Sequence, residues 1–356
     1  MSTDKWTLEE VCEKGSSSLM QKNLKLGTGA FPIYGASGLL GFVDFYHRQE
    51  EYIGIVKDGA GVGRAMLLPA QSSCIGTMQY LIPNQNVTAH YLYYAIQNMN
   101  LAKYNTGATI PHIYFRDYKR ESIPKRSIQE QEIISEKIDK VENIIKIKRE
   151  QLSHLDDLVK SQFIEMFGGI PQEDFVPLSE LCKIITDGTH QPPKFYDNGI
   201  PFLFVSNIAN NEINYDTEKY ISKETYLELI RRTPIEIGDI LLSTVGSYGH
   251  PAIVTDSKKF CFQRHIAYLK PDGDLIESRY LHGALLSPIG QEQIERGVKG
   301  IAQKTLNLSE IRKIRVPLVS MEQQKAYSAF CLQLDKSKVL CSRSKFLISL
   351  LGGVEK

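Results

Sequence analysis

One stretch of this chain is written twice. Residues 107–131 read GATIPHIYFRDYKRESIPKRSIQEQ, and residues 300–324 read GIAQKTLNLSEIRKIRVPLVSMEQQ. The two align without a gap at an offset of 300 − 107 = 193. Literal identities fall in order, at Gly107/Gly300, Pro124/Pro317 and Gln131/Gln324. Chemical matches fill the space between, as at Ile113/Leu306, Asp117/Glu310, Lys119/Arg312 and Ile123/Val316. Upstream segments follow suit. Trp6-Thr7-Leu8 and Val11-Cys12 answer Val176-Pro177-Leu178 and Leu181-Cys182, Tyr80-Leu81 answers Tyr268-Leu269, and Tyr91-Leu92 answers Tyr280-Leu281. The offset drifts from 170 through 188 and 189 to 193, as loops of unequal length in two copies of one fold would make it do. A duplicated chain of 356 residues therefore reads as two related domains.

Each copy ends in a helical pattern. From Ile128 to Phe167 there is neither Pro nor Gly, and Gly168-Gly169 then stops the run. Positions 134, 138, 141, 145, 148, 152, 155, 159, 162 and 166 alternate spacings of four and three, and eight of the ten are apolar. This heptad seam predicts a helix ~60 Å long. A stripe of that length needs a partner. The segment from Glu322 to about Leu351 supplies the candidate, with Tyr327, Phe330, Leu334, Leu340 and Leu347. The expected seam is Ile134, Ile138, Val141, Ile145, Leu152, Leu155 and Val159 on one helix, against Phe330, Leu334, Leu340 and Leu347 on the other, antiparallel.

The parts before each helix are rich in β-branched and aromatic residues broken by Gly and Pro, as in Tyr52-Ile53-Gly54-Ile55-Val56 and Asp239-Ile240-Leu241-Leu242. Short helices are predicted at His90 to Met99 and Ser278 to Leu286. The expected fold class is α+β (mixed): two duplicated α/β domains joined and spaced by two long antiparallel coiled-coil helices. The expected segments are a domain at 1–127, a spacer helix at 128–168, a second domain at 169–320 and a second spacer helix at 321–356.

Charge excludes an indiscriminate coat for nucleic acid: 42 Lys and Arg face 41 Asp and Glu, a net charge of +1. A local basic face is still compatible with that balance. No apolar run approaches the ~18 to 20 residues of a membrane helix. Met1 to Glu10 carries Asp4, Lys5, Glu9 and Glu10 and does not read as a secretory signal. Six cysteines, at 12, 74, 182, 261, 331 and 341, form no CxxC pair, so no zinc or other metal site is expected. Reduced thiols in a cytoplasmic protein are the simple reading.

These features together resemble the specificity (S) subunit of a type I restriction–modification system. The likeness covers nearly the whole chain. It rests on the doubled junctions Ile123 to Gln131 and Val316 to Gln324, on the helix end Leu158 to Gly168, and on Pro32 to Gly38, Thr186 to His190 and Asp335 to Lys338. The resemblance implies that each globular part is a target-recognition domain reading one half of a bipartite site in double-stranded DNA. It implies that the helices set the gap and dock two modification (methyltransferase) subunits, and through them the restriction (translocase/nuclease) subunits. It implies no catalytic centre and no cofactor in this chain, the methyl donor and ATP belonging to the partner subunits. One departure stands out: Gln324 to Asp335 is three residues longer than Gln131 to Asp139.

The residues agree in what they lack. An amino-methyltransferase needs an aromatic-Pro-Pro loop, and the Pro-Pro here, Gln191-Pro192-Pro193-Lys194, has the wrong flanks. There is no dinucleotide fingerprint and no Walker motif. The acids of Pro271 to Glu277 read as a turn, because Pro271 matches Pro83, where Asn84 replaces the acid.

DNA contacts are expected in the loops, where Arg, Lys, Asn and Gln read base edges and hydroxyls hold phosphates. The candidates in the first copy are Ser17, Lys22, Asn23, Lys25, Tyr34, Ser37, Arg64, Thr109 and His112. Those in the second are Thr186, Thr189, His190, Lys194, Ser247, Tyr248, Gln263, Arg264, Lys299, Gln303 and Lys304. The competing readings are a single-chain methyltransferase or nuclease, and a scaffold that does not touch DNA.

Overall fold

The structure is a computed structural model. It describes residues 4–27, 29–106, 110–300 and 303–352, with residues 340–352 as backbone only. The chain divides into two compact units, Met1–Ile145 and Lys146–Lys356.

The first unit runs β1 (Lys5–Thr7), α1 (Leu8–Val11), β2 (Cys12–Ser16), β3 (Phe31–Gly35), β4 (Gly38–Val43), β5 (Tyr52–Val56), β6 (Ala65–Leu68), β7 (Ser73–Cys74), β8 (Met78–Pro83), α2 (Ala89–Gln97), α3 (Phe115–Tyr118), β9 (Ser122–Pro124) and α4 (Ile128–Phe167). Its main sheet is antiparallel, in the order β2-β8-β5-β6. A second sheet, β4-β3-β7, has one antiparallel and one parallel pairing, and β1 pairs with β9. β5 is buried at every position, as expected of a strand covered on both faces. Its core joins Leu8, Ile53, Leu81, Leu92 and Ile113.

The second unit runs β10 (Phe175–Pro177), α5 (Leu178–Leu181), β11 (Cys182–Asp187), β12 (Ile200–Leu203), β13 (Tyr220–Ile221), α6 (Lys223–Leu229), β14 (Ile240–Ser243), β15 (Pro251–Ile253), β16 (Cys261–Phe262), β17 (Ile266–Pro271), α7 (Ser278–Leu286), α8 (Pro288–Gly297), β18 (Val298–Lys299), β19 (Thr305–Leu306), α9 (Leu308–Ile311), β20 (Arg315–Pro317) and α10 (Met321–Gly352). Its sheets repeat those of the first unit: β11-β17-β14-β15, β13-β12-β16 and β10-β20. The registers repeat as well. Trp6 faces Ile123 as Val176 faces Val316, and Cys12 faces Pro83 as Cys182 faces Pro271. The parallel pairs Tyr34 with Cys74 and Leu203 with Phe262 stand at matching places. Helix α7 covers the expected Ser278 to Leu286, and α2 lies within the expected His90 to Met99 apart from its first residue.

Helix α4 spans the stretch free of Pro and Gly, and the dividing line between the units falls inside it. Ile134 packs against the first unit's core. Ile138, Val141, Ile145, Leu152 and Leu155 are half-buried, and Val159 is buried. Beyond Val159 the heptad reading fails. Met166 is exposed and Gln162 half-buried, while Phe163 and Phe167 are fully buried. A straight helix drifts by about 20° per heptad against a strict 3.5 repeat, so spacings of four displace those of three where the helix meets a globular core. There Phe163 and Phe167 form an aromatic cluster with Tyr280 and Tyr327, at centroid distances of 5.0 to 6.1 Å, every pair edge-on except the tilted Phe163 and Tyr280.

Within the second unit α10 runs against α4 in the opposite sense. Tyr327 donates to the backbone oxygen of Val159 at 3.1 Å, and the later Lys338 pairs with the earlier Asp156 at 2.5 Å. Phe330 and Leu334 are half-buried against the same core. The side chains of Leu340 and Leu347 lie outside the described residues.

Candidate nucleic-acid interface

In each unit, four loops meet at one end of the main sheet. In the first unit the β5–β6 turn carries glycines at φ +84°, +87° and +84° (Gly59, Gly61 and Gly63). Gly63 has no alternative, since a Cβ there would lie 2.5 Å from the backbone nitrogen of Ala102. Backbone hydrogen bonds tie this turn to its neighbours: Lys57 to Thr77 at 3.1 Å, Gly59 to Pro111 at 2.9 Å and Ile113 to Lys57 at 3.0 Å. Gly76 in turn donates to Leu19, just after β2, at 2.8 Å. The second unit repeats the arrangement. Thr244 donates to His265 at 3.0 Å, Leu306 to Thr244 at 2.8 Å and Arg264 to Thr189 at 3.0 Å. The isolated bridges Asp58 with His112 and Val245 with Thr305 occupy equivalent positions.

Of the first-unit candidates, Ser17 and His112 belong to this loop end, as does Arg64, exposed at the close of the glycine turn. Ser17 caps its own loop by accepting from the backbone of Leu19 at 3.1 Å. His112 is bonded to Asp58. Tyr34 is half-buried on β3, its ring against the cluster of Tyr52 and Met78. Ser37 is exposed in the β3–β4 turn, and Lys22, Asn23 and Lys25 are exposed in the segment that leads to β3. Thr109 lies outside the described residues.

In the second unit Thr186, Thr189, Gln263 and Tyr248 are half-buried, whereas His190, Lys194, Ser247, Arg264, Lys299, Gln303 and Lys304 are exposed. Several already have partners. Lys299 pairs with Glu310 at 3.1 Å and Lys304 with Glu295 at 3.0 Å, and Tyr248 is bonded to both Glu295 and Lys304. Lys194 stands 5.3 Å from the ring centre of Tyr196. Thr189 donates to the backbone oxygen of Gln191.

Three residues outside the expected set, the pair Asp187 and Arg232 and the single His265, organise the second site. Asp187, at the end of β11, accepts from Arg232 at 2.5 Å and pairs with His190 at 2.9 Å. Arg232 also donates to Thr186 at 3.2 Å. Arg232 follows α6, far along the chain, so no local pattern announces the pair. His265 is the third: burial, and next the Arg264 charge, push its pKa below the usual histidine value. Neutral, its Nε2 can accept, and the Nε of Arg264 stands 3.3 Å away. Asp187, Thr244, Arg264, His265, Gln303 and Asn307 line a hollow of about 470 Å³.

Among the described residues no cluster of three or more His, Cys, Asp or Glu could hold a metal ion, and no helix is long and apolar enough to cross a membrane. The five described cysteines are free thiols, and burial pushes those of Cys12, Cys74, Cys182 and Cys261 up to about 12.

The chain matches the family described as "Type I restriction modification DNA specificity domain" twice, over residues 3–156 and 173–343. It is 26% identical over 267 residues to the EcoBI specificity subunit of a type I restriction enzyme from Escherichia coli, covering 66% of this chain and 56% of that one. It is 22% identical over 296 residues to the MjaVIII specificity subunit from Methanocaldococcus jannaschii, covering 74% of this chain and 69% of that one. It thus spans little more than half the length of the first of these relatives. In fold it is similar to the crystal structure of a type I restriction–modification S subunit from M. genitalium, with a TM-score of 0.57 at 16% identity over 98% of this chain and 93% of that one. It is also similar to a chain from a type I system studied for complex assembly, with a TM-score of 0.53 at 17% identity, covering 98% and 95%. With both units matched, the chain belongs to the type I restriction–modification DNA specificity family and carries two copies of its domain.

Proposed function

We propose that this chain is the sequence-recognition subunit of a type I restriction–modification complex, each unit reading one half of a bipartite site in double-stranded DNA. The observation that carries the reading is one scaffold used twice with different residues on its loop end. Strand order and register repeat, while the positions held by Asp58 and His112 in one unit are held by Val245 and Thr305 in the other. A shared frame with divergent loops suits two readers of two different half-sites. The long helices α4 and α10 serve as the spacer and as the docking surface for two modification subunits, and through them for restriction subunits. The chain performs no catalysis of its own; methyl donor and ATP are bound by the partners, and the complex works in the cytoplasm. A net charge of +1 fits a protein that meets DNA at one surface and other proteins at another.

The test is a map of modified bases in a host carrying this chain with its modification partner. Two short, different half-sites separated by unspecified bases are expected, and a contiguous motif would overturn the reading. Replacing residues 1–127 by those of another such subunit changes one half-site and leaves the second alone.

A further inference from the structure

Resting on that reading, we propose that the hollow at the loop end of the second unit is a base-reading pocket in which the Arg264 guanidinium takes a guanine of one half-site. Arg264 is the one Lys or Arg lining that hollow among the described residues. The neighbouring cations are engaged: Arg232 with Asp187, Lys299 with Glu310 and Lys304 with Glu295. Arg264 has no carboxylate in any of the described ion pairs. Its partner is the Nε2 of His265, 3.3 Å from its Nε.

That contact has a chemical consequence. With Nε turned to the imidazole, the two terminal nitrogens are left as a fork. Such a fork matches the N7 and O6 acceptors on the major-groove edge of guanine. His265 plays this part as a neutral ring, which suits its half-buried place beside a cation. The main chain is pinned as well, the nitrogen of Arg264 donating to Thr189 at 3.0 Å and that of Gln263 to Leu203 at 3.1 Å. A fixed main chain and an oriented fork are what discrimination needs; a phosphate contact needs neither.

The duplicate supplies a comparison within the same chain. At the offset of 188 that aligns β8 with β17, Arg264 and His265 fall on Gly76 and Thr77. The first unit has no guanidinium there, and the pair Asp58–His112 closes its corresponding loops. Guanine reading at this place therefore belongs to one half-site only.

The complete complex, assembled with its modification partners, is offered a library of duplexes randomised across both half-sites. The wild type should demand a G·C pair at one position of one half-site. Arg264→Ala should lower that preference by about 10- to 100-fold and leave the other half-site unchanged. Arg264→Lys, which keeps the charge, should retain most of the affinity and lose the same preference, and it decides the matter if the alanine variant does not assemble. His265→Ala should weaken the preference in the same position. An unchanged motif in both Arg264 variants overturns the proposal. So does uniform weakening at every position with a salt slope reduced by about one, the mark of a phosphate contact. A wild-type complex without any split motif removes the underlying reading instead, and that result is visible before any variant is made.

Discussion

The side-chain oxygen of Gln131 accepts the backbone N–H of Thr88 at 2.9 Å, tying the first turn of α4 to the N-cap of α2. Its amide donates to the backbone oxygens of Asn86 at 2.8 Å and Arg126 at 3.0 Å. Gln324 does the same with the backbone of Glu277, Leu275 and Val319. Both glutamines are buried. Removing either amide leaves three part-buried backbone groups without their partner, so Gln131→Ala and Gln324→Ala should each cost about 1 to 3 kcal/mol. Urea melts of the variants check this, with a lower midpoint at an unchanged slope expected.

The glycine turn separates conformational strain from collision. Gly59 and Gly63 both have φ +84°, but a Cβ on Gly59 meets open space while one on Gly63 meets the backbone of Ala102 and Leu101. Gly59→Ala should cost about 1 to 2 kcal/mol, the left-handed penalty alone. Gly63→Ala should cost clearly more. Equal losses of thermal stability in the two variants would contradict the packing described.

The end of α4 offers a contrast in one turn of helix. Phe163→Ala empties a site enclosed by Phe167, Tyr280 and Tyr327 and should cost about 3 to 5 kcal/mol. Met166→Ala, on the exposed face, should change stability by no more than about 0.5 kcal/mol. Denaturant unfolding followed by intrinsic fluorescence distinguishes them; a strict heptad seam would give the reverse order.

His282 on α7 stands at a cleft of about 790 Å³, its Nε2 3.1 Å from the backbone oxygen of Pro251. Burial is the main cause that pushes its pKa from 6.5 down to about 4. The unfolded chain therefore binds the proton more readily. The stability this group contributes is present above pH 6.5 and is lost as the pH falls from about 6.5 towards 4, by at most about 3 kcal/mol. His282→Gln keeps the donor to Pro251 and removes the titration, so its stability profile over that window should be flatter than that of the wild type.

Much of this molecule was legible in its sequence. The gapless repeat announced two copies of one unit, and the identities Gln131/Gln324 and Pro124/Pro317 turn out to be shared structural joints: Tyr91 and Tyr280 donate to the oxygens of those two prolines. The more covered face of α4 was readable as far as Val159, where the expected positions are half-buried or buried, because a helix repeats its faces at a fixed interval. The pattern failed at Phe163, where Tyr280 of the globular core packs on the helix beside Tyr327 of α10, so the covered face is not set by a partner helix alone.

The candidate loop sites were legible only in part. Arg264 and Thr186 to His190 could be picked from residue type and glycine punctuation, whereas the union of Asp187 with Arg232 could not, since it joins residues 45 apart with no periodic relation. Composition and repeat alone determined that there are two related units, each ending in a helix, with little net charge. Tertiary structure decided which cations are free and which are neutralised, how the four loops converge, and where the helix seam changes face. Periodicity is a property of the local chain, while ion pairing and burial depend on which distant segments the fold brings within a few ångströms.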